Sequence, residues 1–158
     1  MNNHKELINN FYSAFQKLDY TGMAKCYSDE IVFFDPVFEL LKGEQANHMW
    51  EMLCKNARDF SLTFGNIIEL DEEYCTCDWV ATYTFSGTGR KVVNKIKANM
   101  RFAGGKIIEH SDAFSLYKWS KQALGLTGLL FGLNSFFQRK IKNRAKKNLL
   151  KFIITKGL

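Results

Sequence analysis

Residues 104–116 read GGKIIEHSDAFSL, and the alternation in that stretch sets the architecture. Gly104-Gly105 supplies a tight hairpin turn. After it, Ile108, His110, Asp112, Phe114 and Leu116 fall on one face of a strand, with Glu109, Ser111 and Ala113 on the other. Apart from His110 and Asp112 the first face is large and apolar, so it points inward and carries those two side chains into an apolar interior. A buried polar group without partners costs about 1–3 kcal/mol, and a buried unpaired carboxylate costs more. Two arrangements compensate. At offset two the side chains are neighbours that can share a hydrogen bond as a structural pair. Alternatively they form a general acid/base site, because desolvation raises a carboxylate's pKa toward the range a base needs near neutrality.

Upstream of the hairpin the period is again two. Cys75, Cys77, Trp79, Ala81, Tyr83 and Phe85 share the inward face of a strand over residues 74–86. Ile96, Ala98, Met100 and Phe102 alternate with Lys95, Lys97, Asn99 and Arg101 on the strand that enters the turn. Before residue 60 the period is 3.6. Leu7, Ile8, Phe11, Tyr12, Phe15 and Leu18 recur at offsets of three and four, which predicts helix one over residues 4–18. Asp19 is placed to cap a short second helix that Ser28-Asp29 closes, and Ile31–Phe34 begins a strand. Gly43 precedes a third helix, ending near Asn56, whose apolar stripe is Ala46, Met49, Trp50 and Leu53. Three helices followed by a run of antiparallel strands predict one α+β domain over residues 1–119, the helices gathered on one face of a strongly curved, mainly antiparallel sheet.

Asp35 ends the apolar strand on the face of Ile31 and Phe33 and precedes Pro36, the only proline. Proline holds the preceding residue extended and interrupts the ladder, which fixes the direction of the Asp35 side chain. The same Asp-Pro also suits a plain turn at a strand exit. Helix one, the Asp19–Tyr27 segment, the strand ending Phe34-Asp35-Pro36-Val37, the Gly43-Glu44-x-Ala46 start of helix three and the closing Gly105–Asp112 segment together resemble the nuclear transport factor 2-like superfamily. Within it they resemble the SnoaL-like and ketosteroid isomerase-like branch, over roughly residues 4–118.

That resemblance implies a cone-shaped roll whose bent sheet wraps helix one around an apolar pocket, commonly in a homodimer formed through the outer sheet face. It implies a small apolar molecule as ligand and acid/base chemistry of isomerase, cyclase or lyase type. The candidate catalytic residues are Asp35, His110 and Asp112, and the candidate pocket lining is Phe11, Tyr12, Phe33, Trp79, Tyr83, Ala98, Met100 and Phe114. Asp35 matches the base of the ketosteroid isomerases. Asp112 matches the acid/base aspartate of the SnoaL-like polyketide cyclases, with His110 tuning its protonation. The isomerases' oxyanion donors, a tyrosine and a protonated aspartic acid, fall on Phe11 and Ala98, with Tyr12 turned by one residue. Both donors are missing, so steroid isomerisation is not expected. The alternative from another class is a non-catalytic binding or assembly module, its pocket plugged by Phe11, Trp79 and Met100.

The remaining features concern compartment and partners. A chain of 158 residues, 46% hydrophobic, buries its own core without covalent staples. Four cysteines without a Cys-x-x-Cys pair, and the polar start MNNHKE, predict a reducing, cytoplasmic setting. Cys75 and Cys77 read as small apolar core residues, and His4 and His48 show no metal-ligand spacing, so neither metal nor cofactor is expected. The net charge of +6 is uneven: residues 1–119 carry 13 Lys/Arg against 16 Asp/Glu, whereas residues 120–158 carry nine and no acid. In this C-terminal helical extension, Ala123–Leu133 is apolar with three glycines, suits a bent helix or an irregular segment, and is too short to span a bilayer. From there Phe137, Ile141, Ala145, Leu149 and Ile153 recur every four residues in a basic amphipathic helix. Its stripe packs on the body or a partner subunit, or residues 136–153 lie on an anionic membrane surface as in a peripheral membrane protein. A nucleic-acid arm that only tracks phosphates has no use for the apolar face, so nucleic acid is disfavoured.

Overall fold

In the computed structural model, which describes residues 3–157, helix α1 (His4–Gln16) buries Ile8, Phe11, Tyr12 and Phe15, the face predicted from offsets of three and four. The Asp19 carboxylate caps α2 (Tyr20–Cys26) by accepting the Gly22 N–H at 2.9 Å. Strand β1 (Tyr27–Asp35) follows without a break, so Tyr27 belongs to the strand and the predicted helix end at Ser28-Asp29 is two residues late. After β2 (Glu39–Lys42), Gly43 turns the chain into α3 (Glu44–Asn56) at φ 54°, a left-handed angle that glycine adopts without steric cost. Strands β3 (Ser61–Glu69), β4 (Tyr74–Phe85), β5 (Arg90–Ala103) and β6 (Lys106–Ala113) complete one sheet in the order β2-β1-β6-β5-β4-β3.

The sheet is curved and unclosed and packs against the helices, which is the α+β architecture expected. Every neighbouring pair is antiparallel except β1 with β6, which run parallel and set Phe33 opposite His110. The alternation on β5 holds along its length, burying Val92, Asn94, Ile96, Ala98, Met100 and Phe102. On β6 it does not. Arg101 pairs with Glu109 but Phe102 pairs with Ile107, so Ile108 is the extra residue of a bulge. Ile107 is therefore fully buried and Ile108 only half-buried, the reverse of the expectation, while His110 and Asp112 keep the inward face. Leu116 is also displaced from the predicted strand. The Ser115 hydroxyl accepts the Lys118 N–H at 3.2 Å and starts a helix there, so Leu116 is buried from a helix instead.

The basic C-terminal segment folds as α4 (Leu116–Leu124), α5 (Leu126–Phe131) and α6 (Ser135–Thr155), and the boundary expected at residue 119 falls inside α4. Gly125, at φ 62°, separates α4 from α5, so the apolar stretch is the end of α4 followed by the short α5. The stripe of α6 docks on the body: Leu149 is buried, and Ala145, Phe152 and Ile153 pack against the core. Two body acids hold α6 down. Glu39 accepts Arg139 at 2.9 Å and Lys146, with Lys142 4.0 Å away, and Glu51 accepts Lys156. Lys146 and Arg139 hold the Glu39 carboxyl below its ordinary range. Burial would push Glu51 up, but Lys156 and Lys55 outweigh it and hold that carboxyl at about 2. Among the described residues no helix is long and apolar enough to cross a membrane.

Leu149 is the residue through which α6 joins the core, so Leu149→Ala should lower stability by about 2–4 kcal/mol. Urea unfolding measures it, and an unchanged midpoint would show that the burial of Leu149 contributes nothing to the folded state.

Candidate functional site

The site is organised by Asp112, whose side chain is only 3% exposed. Its Oδ1 accepts the indole N–H of Trp79 at 3.2 Å and lies 2.9 Å from His110 Nε2. On the far side of the imidazole, Nδ1 lies 2.6 Å from the Tyr27 hydroxyl, and that hydroxyl oxygen accepts the Trp50 N–H at 2.9 Å. With Asp112 ionised, one assignment satisfies every group. Trp50 donates to Tyr27, Tyr27 donates to Nδ1, and a neutral His110 donates from Nε2 to the carboxylate. Burial, reinforced by the charge of Asp112, pushes the Tyr27 phenol well up, so it keeps the proton it donates. Phe11, Phe33 and Trp50 pack around the His110 ring at centroid distances of 5.3–6.0 Å. The imidazole is therefore locked in orientation.

Asp112 lines a cavity of about 690 Å³. The aromatic side chains of Phe15, Trp50, Phe60, Trp79, Tyr83 and Phe85 share that lining with three exposed cations, Arg58, Lys140 and Arg144. Helix α6 contributes Phe137, Ile141 and Ala145 to it. Asp35 is also on the wall, 8% exposed. Its Oδ1 accepts the N–H groups of Val37 at 2.8 Å and Phe38 at 2.6 Å, capping the turn after Pro36. Burial raises the Asp35 carboxyl to about 6; those backbone donors oppose the rise and the charge of Asp112 adds to it. Two carboxylates thus face one apolar space, one held by side-chain donors and the other by backbone.

The structure brings Asp35, Asp112, Trp79, Tyr83 and Phe114 to the cavity. His110 stands behind Asp112 and does not reach the wall. Phe11, Tyr12, Phe33, Ala98 and Met100 are in the packed core instead, each 1% exposed or less. Phe11 and Tyr12 belong to α1 and pack against Tyr27, Trp50, His110, Phe64 and Trp79, while Phe33, on β1, and Ala98 and Met100, on β5, join the same buried core cluster. Tyr12 is unusual among them, because its hydroxyl is buried with no hydrogen-bond partner. The periodicity gave no sign of Tyr27 and Trp50 as members of the chain. An indole on the apolar stripe of α3 did require a buried acceptor, which is the one available signal. Away from the cavity, one donor atom each of His4, Glu69 and Cys75 lie within 4.8 Å of one another, a cluster that sequence spacing does not show. Burial pushes the Cys75 thiol up.

The profile of the SnoaL-like domain matches residues 8–110. This chain belongs to the SnoaL-like domain family. No curated protein matches the sequence significantly. Solved structures do share the fold of this SnoaL-like protein. One is a hypothetical protein with a ketosteroid isomerase-like fold from Catenulispora acidiphila, in complex with trimethylamine, at 14% identity and TM-score 0.66, covering 75% of this chain and 92% of that one. Another is a candidate polyketide cyclase from a Silicibacter species, at 16% identity and TM-score 0.66, covering 75% and 93%. A third is AclR, a candidate hydroxylase from Streptomyces galilaeus, at 22% identity and TM-score 0.62, covering 80% and 95%. The profile stops two residues before Asp112, and α4–α6 lie wholly beyond it.

The two tyrosines of this SnoaL-like protein should respond oppositely to losing their hydroxyls. Tyr27→Phe strands Trp50 N–H and His110 Nδ1 and should cost about 2–4 kcal/mol, whereas Tyr12→Phe removes an unpartnered hydroxyl and should be neutral or stabilising by about 1 kcal/mol. Urea unfolding of both compares them directly. Asp35 makes a pH prediction. Its carboxyl titrates at about 6 in the folded chain against 3.8 ordinarily, so between those values the folded state holds more protons than the unfolded one. Its contribution to stability therefore falls as pH rises through that window, by about 3 kcal/mol. Asp35→Asn keeps an oxygen for the two N–H groups and should flatten the fall. The stability difference between variant and wild type at about pH 4 and about pH 7 reads this, and a constant difference would refute it.

Proposed function

We propose that this protein binds a small, largely apolar molecule in its cavity and performs acid/base chemistry on it, with Asp112 as the group that exchanges the proton. The observation that carries this reading is the state of the carboxylate. Oδ1 is occupied by Trp79 and His110, Oδ2 has no partner among the described residues, and the residue lines the cavity. A carboxylate so oriented has one oxygen committed to positioning and one available to a substrate proton. His110 is a positioning residue: its ring, fixed by Tyr27, donates from Nε2 to Asp112 and holds the carboxylate in orientation. Asp35, its carboxyl raised to about 6 by burial, supports the reading of a second acid/base group in the same cavity.

Family membership supports a reaction of cyclase or isomerase type, since one structural neighbour is described as a candidate polyketide cyclase. Phe11 and Ala98 offer no hydrogen-bond donor for an enolate oxygen, which argues against the steroid isomerisation of the wider superfamily. The aromatic lining suits a flat or ring-containing body, and the exposed cations Arg58, Lys140 and Arg144 in that lining suit a ligand with an acidic or electron-rich end.

Native mass spectrometry of the full chain, purified gently from its own cells, should show a retained small molecule that leaves on denaturation. With that compound in hand, Asp112→Asn should lower kcat by about 10²–10⁴-fold while leaving binding within a few-fold. Turnover by Asp112→Asn equal to wild type would sink the assignment.

A further inference from the structure

We propose that the α4–α6 face docks on an anionic lipid bilayer, with α5 as the inserting element. The inner face of α5 is made of glycine and its outer face of large apolar side chains, which inverts the usual polarity of a surface helix. Gly128 is buried, and a Cβ there would stand 1.9 Å from the Ser120 carbonyl oxygen; one at Gly132 would stand 2.4 Å from the Gly128 carbonyl oxygen and 2.7 Å from the Tyr117 ring. This close approach to α4 holds the segment in place and leaves its bulk outside. Leu126 is 70% exposed, Leu129 51%, Leu130 65%, Phe131 52%, Leu133 74% and Phe136 70%. Single exposed leucines need no explanation, but six large apolar side chains within eleven residues form a patch that water does not stabilise.

Charge decides what covers it. Residues 120–158 contain no acid, and Lys121, Lys140, Arg144, Lys147 and Lys151 have no carboxylate within 4.0 Å among the described residues. Lys140 Nζ lies 5.1 Å from the centre of the Phe136 ring, which sets a cation beside the patch. A second copy meeting this face through a two-fold axis would bring one basic tail against its duplicate, a repulsive arrangement. An anionic bilayer accommodates both features at once, the leucines in the interfacial region and the cations among the headgroups. The later part of the α6 stripe takes no part, because Ala145, Leu149 and Ile153 pack on the body. Thr127, Phe137 and Lys140 belong both to this region and to the cavity lining, so docking would bring that part of the lining close to the lipid. Docking itself does not depend on the proposed chemistry.

The test is co-sedimentation of the full chain with vesicles of phosphatidylcholine alone and of an equimolar phosphatidylcholine–phosphatidylglycerol mixture. The partition coefficient for the mixed vesicles should exceed that for the neutral ones by at least about tenfold and fall with added salt. The double variant Leu130→Glu/Leu133→Glu should lose at least about tenfold on the mixed vesicles. Both side chains are exposed, so its urea midpoint should match wild type; if it does not, Leu126→Glu/Phe136→Glu gives the same reading from other positions. Absence of binding to mixed vesicles, or equal binding by a folded variant, would overturn the proposal. A wild-type dimer in light scattering that the variant splits, without vesicle binding, would overturn it in favour of a second copy. Ligand retention in native mass spectrometry is read separately, so loss of lipid binding and loss of the proposed chemistry are distinguishable.

Discussion

A carboxylate taken out of water must be given donors, and the burial of Asp112 draws together much of the domain. Its donors come from β4 as Trp79 and from its own strand as His110. Because the imidazole also needs a partner on its far side, β1 supplies Tyr27, and because the phenol oxygen needs a donor, α3 supplies Trp50. One buried charge thus ties three strands and a helix into a single hydrogen-bonded chain. The parallel pairing of β1 with β6 is the backbone condition for it, since that pairing lays Tyr27 opposite Ile107 and Phe33 opposite His110. Such a chain is stable only when complete, because each missing member strands its neighbour in low dielectric.

The second organising force is the division of charge between body and tail. With every acid in residues 1–119 and nine cations in residues 120–158, the tail is attracted back across the body. Glu39, at the start of β2, and Glu51, on α3, are where that attraction becomes geometry. Helix α6 arrives with its apolar stripe against the core and becomes part of the cavity wall. The cavity is accordingly a joint product: most of its lining comes from the region matched by the SnoaL-like family, and Asp112, Phe114 and the α6 side chains Phe137, Ile141 and Ala145 come from beyond it.

Several features were legible from residue order. The stripe of α1, the inward face of β5 and the inward placement of His110 and Asp112 follow from periods of 3.6 and 2, because burial selects apolar residues at those intervals. Where periodicity failed, a local hydrogen bond or ladder irregularity overrode it. The bulge at Ile108 moved Ile107 inward, and the Ser115 cap ended the last strand early. The pocket lining was only partly legible, because periodicity says that a side chain points inward without saying whether packed side chains or empty space lies there. Phe11, Tyr12, Phe33, Ala98 and Met100 met packing; Trp79, Tyr83 and Phe114 met the cavity.

The sequence by itself determined the α+β class, the family, the pair His110 and Asp112 on one inward face, and a basic tail with a stripe every four residues. Each is a property of intervals along one segment, which local geometry converts into faces. Only the tertiary structure decided that Tyr27 and Trp50 complete the chain behind Asp112, that α6 lines the cavity, and that the leucines of α5 face outward. Those outcomes depend on contacts between residues as far apart as Tyr27 and His110, or Glu39 and Lys146, which no interval within a segment encodes.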